Sequence, residues 1–188
     1  MEEKKEYYGY YGRMLEKDGW KTVRNWWESL EENRGERARL RRCEAPLQVM
    51  LQNGFHRLLK DLGWHHQKRV HGLAMVAGIL SRVKENSYSK GVRFGHQLSQ
   101  SKEGSEKPRV SELRFNQLMK VRTQPPEEFY RHLMRVVDLL DKKVNVLSLA
   151  EFILEWDREN RKNIQKEPDK RLQFLLAQDY YKQISKQS

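Results

Sequence analysis

The chain has 188 residues, with 37 lysines and arginines against 26 acidic residues, so its formal net charge at neutral pH is +11. This length fits one domain or two small helical lobes, and the basic excess favours polyanionic partners, with nucleic acid ahead of an anionic membrane surface. The longest apolar stretch, residues 72–80, is too short for the ~20 residues that cross a bilayer, and the single Cys43 excludes both an intrachain disulfide framework and a multi-cysteine zinc site.

The first 19 residues show no helical period. Four tyrosines (Tyr7, Tyr8, Tyr10 and Tyr11) stand among glycines and charges of both signs, and the segment lacks the apolar core of a secretory signal. We predict a mobile N-terminal arm over residues 1–19, a single helical domain over residues 20–188, and a cytoplasmic protein without membrane partners.

Apolar residues at steps of three and four predict the helices of the first half. The first helix begins at Trp20, a short basic helix covers residues 36–42, and Pro46 opens the next helix. The apolar face that follows is interrupted at Asn53 and Gly54, which predicts two short helices; this face consists of Leu47, Met50, Leu51, Phe55, Leu58, Leu59 and Leu62. Residues 66–83 are the most apolar, with small residues that permit close packing, so we predict that they form the central core helix.

The second half begins with a polar segment, residues 84–108, that we predict to be a long exposed connection with one brief helix around Gln97. A boundary between two lobes within this segment is the alternative to a single bundle. Further on, Ser111 caps a helix, Pro125 and Pro126 separate it from the next one, the capping box of Ser148 and Glu151 starts another, and Pro168 opens the last. Because no stretch alternates with period two, the predicted fold is all-α, a compact bundle of about eight to nine helices.

No arrangement of residues indicates catalysis. The motifs of serine hydrolases, phosphate-binding loops and zinc proteases are missing, so we predict no enzyme, no cofactor and no metal. The acidic residues at 138–141 and 157–159 interleave with lysine and arginine, as on an ion-paired helix surface. We interpret Cys43 as a small buried hydrophobic residue rather than a reactive thiol.

A first arginine series lies in the short basic helix and matches a row of phosphates. At helical spacing Arg34, Arg37 and Arg41 fall on one face, and Arg39 and Arg42 are neighbours three residues apart. Guanidinium groups suit this task because their planar fork donates two hydrogen bonds to phosphate oxygens. We predict that this series binds nucleic acid, although a solvated helix face is the usual alternative for such a run.

A second basic series spans the two helices after Pro108. It consists of Arg109, Arg114, Lys120, Arg122, Arg131, Arg135, Lys142 and Lys143. Arg131 and Arg135 are a like-charge pair four residues apart, which indicates an anion or an acidic neighbour between them. We predict that the two series line one groove that follows a nucleic-acid backbone.

Four blocks of sequence, in order, resemble the CasB family, the small subunit of the type I-E CRISPR complex Cascade. They are LRRCEAPLQVMLQNGFHRLL at residues 40–59, LAMVAGIL at 73–80, RVSELRFNQLMKVR at 109–122 and LLDKKVNVLSLAEFILEW at 139–156. The resemblance places the family's arginine pair at Arg41 and Arg42 and its SELRF arginine at Arg114, with Arg131 and Arg135 on the basic helix that follows.

The resemblance implies an all-helical, non-catalytic subunit that acts in antiviral defence. Its expected partners are the backbone and large subunits of Cascade and a second copy of itself, arranged head to tail. Its basic surface is expected to hold the guide RNA with the target strand and to give the displaced non-target DNA strand a path, which stabilises the R-loop while a recruited helicase-nuclease cuts.

Two alternatives remain at the level of sequence. The first is a helix-turn-helix regulator of duplex DNA that uses the helices at residues 110–122 and 125–142, although TQPPEEF between them is a poor start for a reading helix. The second is a metal-dependent nuclease that uses His65, His66 and His71, which lack the spacing of a metal site.

Overall fold

The computed structural model describes Tyr11 and residues 15–63, 69–89, 92–102, 104–120, 125–162 and 166–184. These residues form ten α-helices and one short parallel strand pair, which confirms the all-α prediction and adds to its count of helices. In chain order they are α1 Lys17–Ser29, α2 Arg34–Arg42, α3 Pro46–Met50, α4 Asn53–Asp61, α5 Val70–Leu80, β1 Glu85–Asn86, α6 Phe94–Ser99, α7 Glu112–Met119, α8 Pro126–Leu139, β2 Lys143–Val144, α9 Val146–Lys162, a 3₁₀ turn Pro168–Lys170 and α10 Leu172–Ile184. Within this described part, no helix has the length and apolar character to span a membrane.

The helix α5 forms the centre of the bundle, as its apolar sequence predicts. All residues from Gly72 to Leu80 are buried. Five helices (α2, α3, α4, α8 and α9) pack against it, so it has apolar neighbours on every side. The structure therefore confirms that this segment is the central core helix.

Two glycines of α5 let neighbouring helices approach closely. A Cβ atom added at Gly78 would lie 2.0 Å from the Tyr130 hydroxyl of α8 and 2.8 Å from Cγ2 of Val49 in α3. One added at Gly72 would lie 2.8 Å from a carboxylate oxygen of Asp157 in α9. The predicted close packing of helices at small residues is confirmed at both positions.

The tryptophans of α1 belong to the core. Trp20, Trp26 and Trp27 are buried. Two of their indole N–H groups donate to backbone carbonyls, Trp26 to Gly54 at 2.9 Å and Trp27 to Leu80 at 3.0 Å. This helix begins at Lys17, within the predicted arm. The rest of the arm lies outside the described residues except Tyr11, Leu15 and Glu16.

The two short helices predicted around Asn53 are present as α3 and α4. The prediction that Leu47 and Leu51 lie on the buried face is wrong, because these side chains are 68% and 74% exposed. With only five residues, α3 has one inward side, and Pro46 and Val49 occupy it. Residues 47 and 51, four apart, therefore share the opposite side and face solvent.

The polar segment at residues 84–108 contributes to the core instead of being exposed throughout. The brief helix expected near Gln97 is α6, in which Phe94, Gln97 and Leu98 are buried. It packs mainly on α10. The strand β1 pairs in parallel with β2, and Glu85 lies opposite Lys143. A lobe boundary in this segment stays a prediction.

The helix α9 begins two residues before Ser148, so the predicted capping box does not start it. Asn145 takes the capping role, since its side-chain oxygen accepts a hydrogen bond from the backbone N–H of Ser148 at 3.1 Å. Asparagine and serine are comparably good residues at the N-cap of a helix. Asn145 directly precedes the first residue of α9, and it takes this position. The hydroxyl of Ser148 instead accepts from the backbone N–H of Phe94 at 2.9 Å.

Gly78→Ala tests the close contact at the centre of the bundle. Since the new methyl group would displace Tyr130, we expect the free energy of unfolding to fall by about 2 kcal/mol, as measured by urea denaturation followed by circular dichroism. Gly35→Ala is the control, because its Cβ would meet only a guanidinium nitrogen of Arg39 at 3.6 Å. Equal stability of the two variants would contradict the packing described.

Candidate nucleic-acid interface

The first arginine series lies on α2, a nine-residue helix that buries only Leu40. Three of the exposed arginines lie in its last turn, where the helix dipole favours positive charge. No described residue forms a hydrogen bond or an ion pair with the guanidinium groups of Arg34, Arg39, Arg41 and Arg42. Their donors are therefore available to a ligand as far as the described part of the chain is concerned.

Arg37 differs from the other members of the first arginine series. Its Nε donates to the carbonyl of Ser81 at 3.1 Å, and its other nitrogens donate to the carbonyl of Val83 and to the carboxylate of Glu31. These contacts hold α2 against the turn that follows α5. A structural role thus accounts for Arg37, and its contact with nucleic acid stays a prediction.

The second basic series divides into unpaired and ion-paired members. Arg114, Arg131 and Arg135 are exposed and form no ion pair or hydrogen bond through their guanidinium groups with described residues. Lys120 is exposed at the end of α7, and Arg122 lies outside the described residues. The remaining three form ion pairs: Arg109 with Asp141 at 2.5 Å, Lys142 with Asp138 at 3.6 Å and Lys143 with Glu85 at 2.8 Å.

The ion-paired cations lie together near the end of α8. The hydrogen bond from Arg109, followed by one from Lys102, lowers the pKa of the Asp141 carboxyl group below its ordinary value. Asp141 and Lys142 both have positive φ, at 56° and 62°, in the turn between α8 and β2. The charges here already have partners, so a phosphate would have to compete with carboxylates for them.

The middle of α8 keeps an unneutralised positive charge. Burial lowers the pKa of His132, and the neighbouring Arg135 and Arg131 lower it further, while Glu128 acts in the opposite direction. Neither arginine forms an ion pair with a described acidic residue. An anion bound between the two arginines stays a prediction.

The end of α2 adjoins α8. The Tyr130 hydroxyl, whose pKa burial raises, donates to the carbonyl of Cys43 at 3.3 Å. In the turn after α5, Arg82 donates to the carbonyl of Arg41, near the end of α2, at 2.6 Å. Unpaired arginines of the two series therefore come from neighbouring elements, and the single groove that would join them stays a prediction.

Some acidic residues predicted to lie on an ion-paired surface are buried. Asp157 and Glu159 have ion-pair partners, with Arg161 and Lys166 respectively, but both side chains are buried. The reason is that α9 packs against α1, α5, α6 and α10, which leaves it little exposed surface. At the end of α8, Asp138 and Asp141 are ion-paired and exposed, as predicted.

The residues of the alternative functions show other roles. His71 lies 2.9 Å from a carboxylate oxygen of the buried Asp157, while His65 and His66 lie outside the described residues. In the described part of the chain, no three histidine, cysteine or acidic side chains gather as metal ligands.

The spacing of α7 and α8 does not fit the regulator of duplex DNA. Six residues separate these helices, more than the turn of three or four in a helix-turn-helix. Cys43 is buried, and burial raises the pKa of its thiol, which agrees with a packing role.

The comparisons with known proteins give one finding. The model of a family described as CRISPR-associated protein Cse2 matches residues 36–181, more than three quarters of the 188 residues. The four blocks that resemble CasB all lie inside this range, as do both basic series except Arg34. No curated protein and no solved structure gives a match.

Arg37→Ala tests the structural role of this arginine. The carbonyls of Ser81 and Val83 would lose their side-chain donor, so we expect the free energy of unfolding to fall by about 1–3 kcal/mol. Arg34→Ala removes the same charge from an exposed position and should change stability by less than about 0.5 kcal/mol. Thermal or urea unfolding of the two proteins measures the difference, and equal losses would refute the assignment.

Proposed function

The chain belongs to the CRISPR-associated Cse2 family, which makes it a type I-E Cascade subunit, and we propose that it binds nucleic-acid backbone there without cleaving it. The ligands in this proposal are the guide RNA with its target strand and the displaced single-stranded DNA. By holding these strands the subunit stabilises the R-loop during antiviral defence.

One observation carries the proposal: the exposed arginines that have no partner among the described residues. They are Arg34, Arg39, Arg41, Arg42, Arg114, Arg131 and Arg135. An exposed guanidinium group without an internal partner binds a phosphate at little cost, because no intramolecular ion pair has to break. The same groups release counterions from the nucleic acid, which makes binding strong at low salt and independent of sequence.

The energetics of R-loop formation suit contacts of this kind. The RNA–DNA duplex that forms is about as stable as the DNA duplex that it replaces, so the exchange is nearly balanced. Modest contacts to the backbone are then sufficient to shift the equilibrium. The subunit has no need to read bases, because the guide RNA supplies the sequence specificity.

The remaining parts of the proposal follow from the family. The backbone and large subunits of Cascade are the protein partners, and a second copy of the chain packs head to tail with the first. The complex acts in the cytoplasm, where it meets invading DNA. Cleavage of that DNA belongs to a recruited helicase-nuclease, so this chain contributes positioning only.

Arg41→Ala and Arg131→Ala test the proposal, one on each series. Each substitution should weaken binding of single-stranded oligonucleotides about tenfold at low salt, equally for all sequences. Each should also lower the slope of log K against log salt by about 0.7, the share of one phosphate on a single strand. Fluorescence anisotropy over a series of salt concentrations measures both quantities.

Lys143→Ala is the control for these variants. It removes one positive charge as well, but from a side chain that is paired with Glu85. We expect a smaller change in slope than for either arginine variant. Unchanged affinity in both arginine variants would disprove the binding surface, and a loss confined to one oligonucleotide sequence would favour a reader of bases instead.

A further inference from the structure

The arginines of α2 point in two directions. Arg34 and Arg41, seven residues apart, share one side of the helix, whereas Arg39 and Arg42, three apart, share another. The second side borders a shallow groove between α2 and α3, which is lined by Arg39, Arg42, Cys43, Gln48, Leu51 and Gln52. The two sides are therefore suited to different ligands.

Leu51 gives the groove an apolar border at the end of α3, and Leu47 lies one helical turn earlier, beyond the residues that line the groove. Leu47 and Leu51 lie four residues apart, on the same side of α3, and are among the most exposed large hydrophobic side chains in the described part of the chain. A large exposed apolar side chain is common singly, but two adjacent ones beside unpaired arginines indicate a contact surface. We call Arg39, Arg42, Leu47 and Leu51 the α2–α3 surface.

The groove also contains polar groups that could form hydrogen bonds with the main chain of a bound peptide segment. Gln48 uses its side-chain oxygen to accept from the N–H of Glu44 at 2.8 Å, and Gln52 uses its side-chain nitrogen to donate to the carbonyl of Gln48 at 3.2 Å. The amide nitrogen of Gln48 and the amide oxygen of Gln52 form no hydrogen bond with described residues. The hydrogen bonds that Gln48 and Gln52 already form hold their side-chain amides in place. One donor, on Gln48, and one acceptor, on Gln52, are thus left to line the groove.

We propose that the α2–α3 surface binds an acidic amphipathic segment of another protein subunit. In this arrangement, apolar side chains of the segment pack on Leu47 and Leu51, and its carboxylates accept hydrogen bonds from Arg39 and Arg42. This inference rests on the chain being a subunit of a complex. It assigns Arg39 and Arg42 to protein binding and leaves the other unpaired arginines to nucleic-acid binding.

The apolar border favours protein over nucleic acid as the occupant, and charge complementarity to Arg39 and Arg42 makes an acidic segment the one that fits. Arginine is enriched in protein interfaces, where it pairs with carboxylates around an apolar centre. Two exposed leucines offer little to a phosphate backbone but match the apolar side of a helix.

A photocrosslinking experiment identifies the occupant directly. The chain carries p-benzoylphenylalanine at position 47 and is assembled with the other Cascade subunits and guide RNA of its host, and irradiated complexes are analysed by mass spectrometry. We expect crosslinks to a segment of another subunit in which aspartate or glutamate neighbours apolar residues. Crosslinks to nucleotides, crosslinks to segments without acidic residues, or no crosslinks would each overturn the proposal.

The same photoreactive residue at position 113 is the positional control. Leu113 of α7 is 71% exposed, comparable to Leu47, but lies on a different helix. The segment captured from position 47 should not be captured from position 113. Capture of the same segment from both positions would mean random collision and would overturn the proposal.

Paired variants separate this inference from the proposed function. Leu47→Ser with Leu51→Ser should weaken incorporation into the complex at least about tenfold and leave oligonucleotide binding by the isolated chain unchanged. Arg41→Ala should show the reverse pattern. Both variants change exposed residues, so their thermal unfolding should match that of the unaltered chain.

The failures of the two ideas differ in this design. Normal incorporation of the leucine variant would overturn the protein-binding surface and leave nucleic-acid binding untouched. Normal oligonucleotide affinity of Arg41→Ala would count against nucleic-acid binding through α2 without affecting the protein-binding surface. Loss of oligonucleotide binding in the leucine variant would overturn the division of α2 into two sides.

Discussion

Between Gly72 and Leu80, α5 has no exposed residue, and this requirement for apolar neighbours on every side fixes the positions of the helices around it. The helices α2 and α8 give their apolar sides to α5 and turn their arginines outward, because an unpaired charge in the core is far too costly. In α9, Asp157 is buried against Gly72 of α5, but His71 and Arg161 are its partners. The helices α2 and α8, which carry unpaired arginines, both pack on α5. The basic surface is therefore a consequence of how the core is built.

The formal charge of +11 overstates what is available to a polyanion. Arg37 is bound to backbone carbonyls, and Arg109, Lys142 and Lys143 are paired with carboxylates. The unpaired arginines of the two basic series come from α2, α7 and α8. Arginine suits this role, since its fork binds phosphate or carboxylate in two-point contacts.

How far the sequence predicts the structure depends on the length of each element. The periodic tryptophans of α1 and the apolar run of α5 identify buried faces correctly, because several turns repeat the same signal. In the five residues of α3 there is no repeat, so the exposure of Leu47 could not be read from the pattern. The start of α9 was misassigned for another reason: Asn145 and Ser148 are chemically equivalent caps, and only the fold engages Ser148 with Phe94. In the candidate site, the structural role of Arg37 could not be predicted from the local sequence, because its carbonyl partners lie more than 40 residues away along the chain.

The most direct test of this account compares two triple variants that remove the same charge. One carries Arg41→Gln, Arg131→Gln and Arg135→Gln, and the other carries Arg109→Gln, Lys142→Gln and Lys143→Gln. The salt dependence of single-stranded DNA binding should fall in slope by about 2 for the first variant, the share of three phosphates, and by less than half of that for the second. Equal reductions for the two variants would contradict the claim that unpaired arginines, and not total charge, bind the backbone.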